Sequence, residues 1–293
     1  MQGGLSIERM CLLARVSRTG FYRFLKTHVP REEDTEVRSA IQQVALEHRR
    51  RYGYRRVTAE LRRRGMQVNH KRVARIMRED NLLAVQPTQF LPNTDSNDAL
   101  EVYLNLSRRM KLNSVDQLWV ADITYRRVQA EFVYLAVILD VYSRKVVGWK
   151  LDRTLTSRLA AEALESAIDL RHPLPGVVHH SDRGVQYVSP EYVAILKLHG
   201  MIQSMSRQAN PYDNASCESF IKTLKREEIY ANKYHDLEDL HSHIEEFIDR
   251  YYNQKRLHSA LGYQSPEEFE AQTGSKTEAE LYSATLRFFA PDP

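Results

Sequence analysis

The sequence predicts an α/β protein, a mixed five-stranded sheet flanked by helices and preceded by all-α helix-turn-helix modules. Three observations carry that expectation. Helix-period apolar patterns with capping residues fill residues 6–82. Five short runs rich in β-branched and aromatic residues begin near Gln117. After the third run, strand and helix patterns alternate, as they do where helices cover a sheet.

The first two helices are short. Ser6 is placed to cap one that carries Ile7, Met10, Cys11 and Ala14 on one side, and Ser17 to cap one that carries Phe21, Tyr22, Phe24 and Leu25. Pro30 and the acidic Glu32-Glu33-Asp34 end that pattern. Three more helices follow. One runs near Thr35–His48, with Val37, Ile41, Val44 and Ala45 inward. A second covers about Arg55–Arg64, and Gly65 is placed to stop it. Asn69 caps the third, whose inner stripe is Val73, Ile76 and Met77. The last helix of such a set suits a DNA major groove.

Charge supports that reading. Residues 1–90 carry 19 Lys/Arg against 9 Asp/Glu, and the remainder carries 23 against 29. A basic front ahead of an acidic back fits a polyanion-binding module joined to a unit that uses carboxylates. The candidate phosphate contacts are Arg49, Arg50, Arg55 and Arg56, with Lys71, Arg72 and Arg75 on the last helix. Residues 86–115, with Pro87, Pro92, Asn93 and Asp95, lack periodicity and read as a linker.

The sheet pattern starts with Leu118–Val128, Glu131–Val141 and Lys145–Leu151, whose short connections predict an antiparallel meander. A helix near Ser157–Leu170 follows, with Thr156 as candidate cap. Val177–His180 reads as a short strand, Ser189-Pro190 opens a helix, and Met201–Met205 reads as the fifth strand. Helices near Asn214–Glu228 and Leu237–Tyr252 complete the pattern, with Asp213 and Asn214 read as caps of the first.

Other classes are excluded by bulk properties. Of 293 residues, 42% are hydrophobic and 27% charged, which is ordinary for a globular chain and wrong for a disordered one. No apolar run approaches the roughly 18 residues of a membrane span, and the N-terminus lacks a signal-peptide layout. A cytoplasmic protein is expected. The two cysteines, Cys11 and Cys217, form no Cys-x-x-Cys pair, so free thiols are expected rather than a zinc site or a disulfide.

Three carboxylates stand out by position. Asp122 lies inside the apolar run Trp119-Val120-Ala121-Asp122-Ile123-Thr124-Tyr125, where an unpaired charge is costly. Asp182 follows a strand in His180-Ser181-Asp182-Arg183-Gly184, and strand ends are common ligand sites. Glu218 lies early in a helix, and at about 100° per residue Lys222 and Lys225 fall within roughly 40° of it. That face offers one carboxylate and two amines. Such a set suits phosphodiester exchange, in which two Mg²⁺ ions about 3.5–4 Å apart serve an in-line displacement. Water or a DNA 3′-hydroxyl can attack in the same site.

Thirty-five residues separate Asp182 from Glu218. With the words around Asp122 and Asp182, Asp213-Asn214-Ala215 before Glu218-Ser219-Phe220, and Tyr252-Asn253-Gln254-Lys255-Arg256-Leu257-His258, this resembles the Asp, Asp-35-Glu enzymes. These are retroviral integrases and insertion-sequence transposases, above all the OrfB transposases of the insertion sequence three family. The resemblance implies an RNase H-like integrase core with Asp122, Asp182 and Glu218 as metal ligands for two Mg²⁺, for which Mn²⁺ substitutes. It implies DNA contacts from Lys222 and Lys225. It also implies terminal inverted repeats and target DNA as partners, a homodimer or higher oligomer, and an upstream OrfA product or a frameshift fusion with it. The expected organisation is a short helix-turn-helix-like segment over 1–30, a helical DNA-binding domain over 33–85 and a linker over 86–115. The catalytic core spans 116–232, and a helical tail packs on it over 233–293. The integrases' His/Cys zinc module has no counterpart here.

Residues around these motifs have plainer readings. His179 and His180 are expected to pack, and Arg183 and Gly184 to shape a turn, with Arg183 also a candidate DNA contact. Asp140 is open to an ion pair with Arg144. Residues 210–212 are a candidate loop beside the metals. Arg256 and His258 fit DNA contact and core packing equally well. Two rival functions use the same features: a stand-alone RNase H-like nuclease, and a DNA-binding repressor with an inactive core.

Overall fold

The computed structural model describes residues 6–25, 34–84, 103, 105–107, 110–129, 131–206 and 214–273. Its contacts divide the chain into two compact units, Met1–Ala84 and Val85–Pro293. Most of the expected linker, the loop at 210–212 and Asp213 lie outside the described residues.

The first unit is helical. α1 (Ile7–Leu13) begins where Ser6 Oγ accepts from Arg9 N–H, and α2 (Arg18–Leu25) where Ser17 Oγ accepts from Gly20 N–H. α3 (Thr35–Glu47), α4 (Tyr54–Arg63) and α5 (His70–Glu79) bury the stripes expected of them, including Ile41, Val44, Val57, Leu61, Val73, Ile76 and Met77. Burying such a side chain contributes about 1.5–3 kcal/mol. Gly65 ends α4 with φ of +85°, a conformation that favours glycine. Asn69 caps α5 by accepting from Lys71 N–H at 2.8 Å.

The second unit is built on a sheet of order β3-β2-β1-β4-β5. β1 (Leu118–Val128) pairs antiparallel with β2 (Glu131–Asp140), which pairs antiparallel with β3 (Val146–Asp152). β4 (Val178–Ser181) and β5 (Ile202–Met205) run parallel to β1, joined through α6 (Ser157–Arg171) and α7 (Pro190–Leu198). Strand alternation sorts the two faces. Trp119, Ala121 and Ile138 share one core cluster with Ala160, Leu164, Tyr192 and Leu196 of α6 and α7. On the other face, Thr124, Val133, Leu135 and Leu151 meet Ile229, Leu240 and Ile244. α8 (Ala215–Leu224) packs on β1 and β2, and α9 (Leu237–Glu245) follows.

Three local expectations are corrected. Thr156 precedes α6 but makes no capping hydrogen bond. Asn214 precedes α8, yet its side chain does not cap that helix. The helix expected over 214–228 changes to a π turn at Lys225–Ile229, and a second π segment covers Glu246–Tyr252.

Candidate active site

Strand register brings the first two carboxylates together. Leu118 pairs with Val178 and Val120 with His180. Asp122 and Asp182 each lie two residues beyond the last of these pairs, and the charge of Asp182 acts on Asp122. Each carboxylate is turned by a local hydrogen bond: Ile123 N–H donates to Asp122 Oδ1 at 2.9 Å, and Gly184 N–H to Asp182 Oδ1 at 2.8 Å. The third carboxylate arrives on α8. Asn214 Nδ2 donates to Ala121 O at 2.9 Å, which fastens the start of α8 beside Asp122. Cys217, Phe220, Ile221 and Leu224 form the buried face of α8, leaving Glu218 and Lys222 exposed.

Electrostatics confirm one shared environment. Burial raises the Asp122 pKa to about 7, and the charges of Asp182 and then Glu218 push it the same way. Asp182 is open on its outer side, yet the protein around its carboxyl displaces enough water to raise its pKa. Glu218 is raised by lost hydration and lowered by Lys222. Lys225 is lowered by burial, opposed by the charge of Asp122, and its Nζ lies 6.0 Å from the centre of the Tyr125 ring. Lys222 therefore acts on Glu218, and Lys225 and Asp122 act on each other.

Among the described residues no three His, Cys, Asp or Glu side chains stand close enough together to hold a metal ion as they are placed. Three like-charged carboxylates repel without a cation between them. Their donor chemistry nevertheless fits Mg²⁺, which takes hard oxygens, keeps several waters and needs few carboxylates. Asp182 and Glu218 are both exposed.

The neighbours resolve into supporting roles. His179 Nε2 meets Tyr192 Oη at 2.9 Å, and burial drives its pKa down to about 3, so it is a neutral core residue. His180 lies between Ser204 Oγ at 2.8 Å and Ser206 Oγ at 3.0 Å. Arg183 Nε donates to Ser206 O at 3.1 Å and so helps hold the turn. Asp140 lies at the opposite sheet end, opposite Trp119. It accepts from Ser143 N–H and Asp116 N–H, and its charged neighbour is Arg171 at 3.7 Å rather than Arg144. Arg256 is buried, with Nε and Nη2 bonded to Glu227 at 2.9 and 2.8 Å, and His258 is buried as well. Core packing is the role this structure gives both. Cys11 and Cys217 are free and buried.

The basic residues of the first unit divide similarly. Arg49, Arg55 and Lys71 are exposed. Arg50 donates to Asn81 O, and the Arg56 guanidinium lies 5.8 Å over the Tyr52 ring. Arg72 and Arg75 grip Asp34 at 2.7 and 2.6 Å, and Arg75 above all holds that carboxyl below its usual pKa. Asp34 is covered by the two guanidinium groups, and this pairing had no sequence signal.

Family models match the same segments. An HTH-like domain matches residues 31–90, and integrase core domain models match 113–211 and 199–266. The transposase InsF of insertion sequence IS3A from Escherichia coli K12 is 36% identical over 92% of this chain and 95% of its own length. The transposase of IS904 from Lactococcus lactis is 38% identical over 78% of this chain and 91% of its own. The chain belongs to the IS3 family of insertion-sequence transposases. A 31 kDa protein of insertion element IS600 from Shigella sonnei is 37% identical over 89% of the transposase and 97% of its own length. Among solved structures, the transposase is similar to the catalytic core of HTLV-2 integrase in complex with magnesium. That match has 16% identity and a TM-score of 0.41, and covers 54% of this chain and 97% of that one. The transposase's strand order and directions are those of the RNase H-like sheet, flanked by helices and preceded by helical modules. No helix among the described residues is long and apolar enough to cross a membrane.

Sequence reading missed two residues beside the carboxylates. Asn214 reads as a helix cap, because its type and place fit one, but it works as a strut to β1. Tyr187, in a 3₁₀ turn at Val185–Val188 just after Asp182, draws no sequence reading at all. Nothing in its sequence context marks its hydroxyl.

Proposed function

We propose that this transposase cleaves DNA strands at the ends of its insertion sequence and joins the 3′-hydroxyl to a second strand, with Asp122, Asp182 and Glu218 holding two Mg²⁺ ions. Mn²⁺ can replace Mg²⁺ in that set, since both accept carboxylate oxygens. The observation that supports the reading is that the charges of Asp182 and Glu218 both act on half-buried Asp122. When bound, the ions would activate the attacking oxygen and stabilise the leaving one.

The chain's own residues supply the rest. Asp122 gives up its proton on taking a cation, so binding is coupled to proton release. Lys222, which acts on Glu218, and Lys225, which acts on Asp122, would hold phosphate oxygens. Arg183 lies at the mouth of the same turn. The first unit, through Arg49, Arg50, Arg55, Arg56 and Lys71, neutralises phosphates of the terminal inverted repeats, with Arg72 and Arg75 sharing their guanidinium groups with Asp34. Two DNA ends must be joined in one event, which calls for a dimer or larger assembly. An upstream OrfA product or a fusion with it would add recognition of the ends.

The test is an assay of cleavage and of joining of a 3′-hydroxyl end into plasmid DNA. The native protein should yield both products with Mg²⁺. Asp182→Asn should abolish both while DNA binding persists. A cut product with no joined product would instead fit a stand-alone nuclease, and cutting by Asp182→Asn would reject the carboxylate assignment.

A further inference from the structure

Tyr187 is 2% exposed, and its backbone is pinned on both sides: its N–H donates to Gly184 O at 3.0 Å, and Gln203 Nε2 donates to its carbonyl at 2.9 Å. Its ring meets that of Tyr192 edge-on at 5.4 Å. The two tyrosines differ at their tips. Tyr192 Oη is bonded to His179, whereas the enclosed Tyr187 hydroxyl has no hydrogen-bond partner among the described residues. A buried hydroxyl left without a partner destabilises a fold, and phenylalanine would fill the same space without that cost.

The hydroxyl's surroundings indicate what it serves. A β-carbon added at Gly184 would lie 3.0 Å from Asp182 Oδ1 and 3.5 Å from Tyr187 Cδ2, so the ring edge and the carboxylate flank one point. Burial above all keeps the hydroxyl protonated, hence a donor, and the charges of Asp182 and Asp122 act the same way, ahead of those of Tyr192 and Cys217. A carboxylate offers about four lone-pair sites. Asp182 Oδ1 uses one for Gly184 N–H, so sites remain for a cation and for a second donor.

We propose that Tyr187 is a positioning residue whose hydroxyl donates a hydrogen bond to the Asp122–Asp182 pair when a divalent cation draws those carboxylates together. This rests on the metal-holding role given above to the two aspartates. Hydrogen bonds to ligating side chains fix their orientation, and losing one lowers metal affinity or activity about 10- to 100-fold. The same bond gives the buried hydroxyl the partner it lacks.

The test is Tyr187→Phe in the full chain, read three ways: melting temperature without metal, the rise in melting temperature on adding Mg²⁺, and strand joining against Mg²⁺ concentration. The expected result is a metal-free melting temperature equal to or above that of the native protein. The Mg²⁺-induced rise should shrink, and the Mg²⁺ needed for half-maximal joining should increase about tenfold or more. An unchanged Mg²⁺ requirement overturns the proposal. A drop in metal-free melting temperature also overturns it, since the hydroxyl would then serve the fold. Asp182→Asn run alongside separates the two levels. If it still joins DNA, the metal-holding role fails and the proposal with it. If it is inactive while Tyr187→Phe behaves as native, the proposal alone fails.

Discussion

Asp122 keeps its proton to about pH 7 in the folded chain because burial and two neighbouring carboxylates disfavour its charge. In the unfolded chain it ionises near the ordinary value of 3.8. Between those values the folded state binds more protons, so stability falls as pH rises through that window. Asp122→Asn removes the cost. Without metal, the variant should be more stable than the native protein at pH 8, by on the order of 1–3 kcal/mol, with the difference shrinking toward pH 4. Melting curves across that range check this, and a less stable variant at pH 8 would contradict it. The three acids were legible in the sequence because a charge inside an apolar strand, a charge at a strand end and a fixed spacing are all linear features. The strut Asn214, the pairing of Asp34 with Arg72 and Arg75, and the Tyr187 hydroxyl were not. Each depends on what stands opposite in space, and residue type alone assigns them commoner roles.

At the scale of elements, β3 and α6 touch closely at Gly148. A β-carbon there would meet Ala163 O at 2.3 Å and Ala167 N at 2.8 Å, both backbone atoms. Gly148→Ala must push helix from strand and should cost about 1–3 kcal/mol in a urea titration. The π turn at Lys225–Ile229 has a different anchor, the buried pair of Glu227 and Arg256. Removing one partner, as in Arg256→Met, leaves the buried Glu227 with the half-exposed Arg226 at 2.7 Å as a charge partner, and should cost somewhat less than the roughly 3–5 kcal/mol of a fully broken buried pair. Replacing both, as in Glu227→Leu with Arg256→Met, should recover most of that in the same titration. If the double variant is no better than the single one, the pair has a role beyond compensating charge. The five strands could be read from runs of β-branched, aromatic and apolar residues, since composition and short connections are local. The two π segments could not, because helix periodicity does not mark them; Glu227, inside one, bonds to Arg256, and Asn253, just after the other, bonds to Val146 O.

For the whole molecule, charge is divided between a basic front and an acidic back. Binding to the insertion-sequence ends should weaken steeply as salt rises, because phosphate contacts release counterions. Measured affinities between low and moderate salt check this, and a flat response would remove the first unit's assigned role. Charge balance and motif order suggest that division of labour from the sequence alone. The chemistry itself turns on whether the carboxylates ligate metal, and the most direct measurement is strand joining by Asp182→Cys with different cations. A thiolate is a poor ligand for Mg²⁺ and a good one for softer ions. The account predicts that joining is lost with Mg²⁺ and partly restored with Mn²⁺ or Cd²⁺, whereas joining by the variant at the native rate with Mg²⁺ would contradict it.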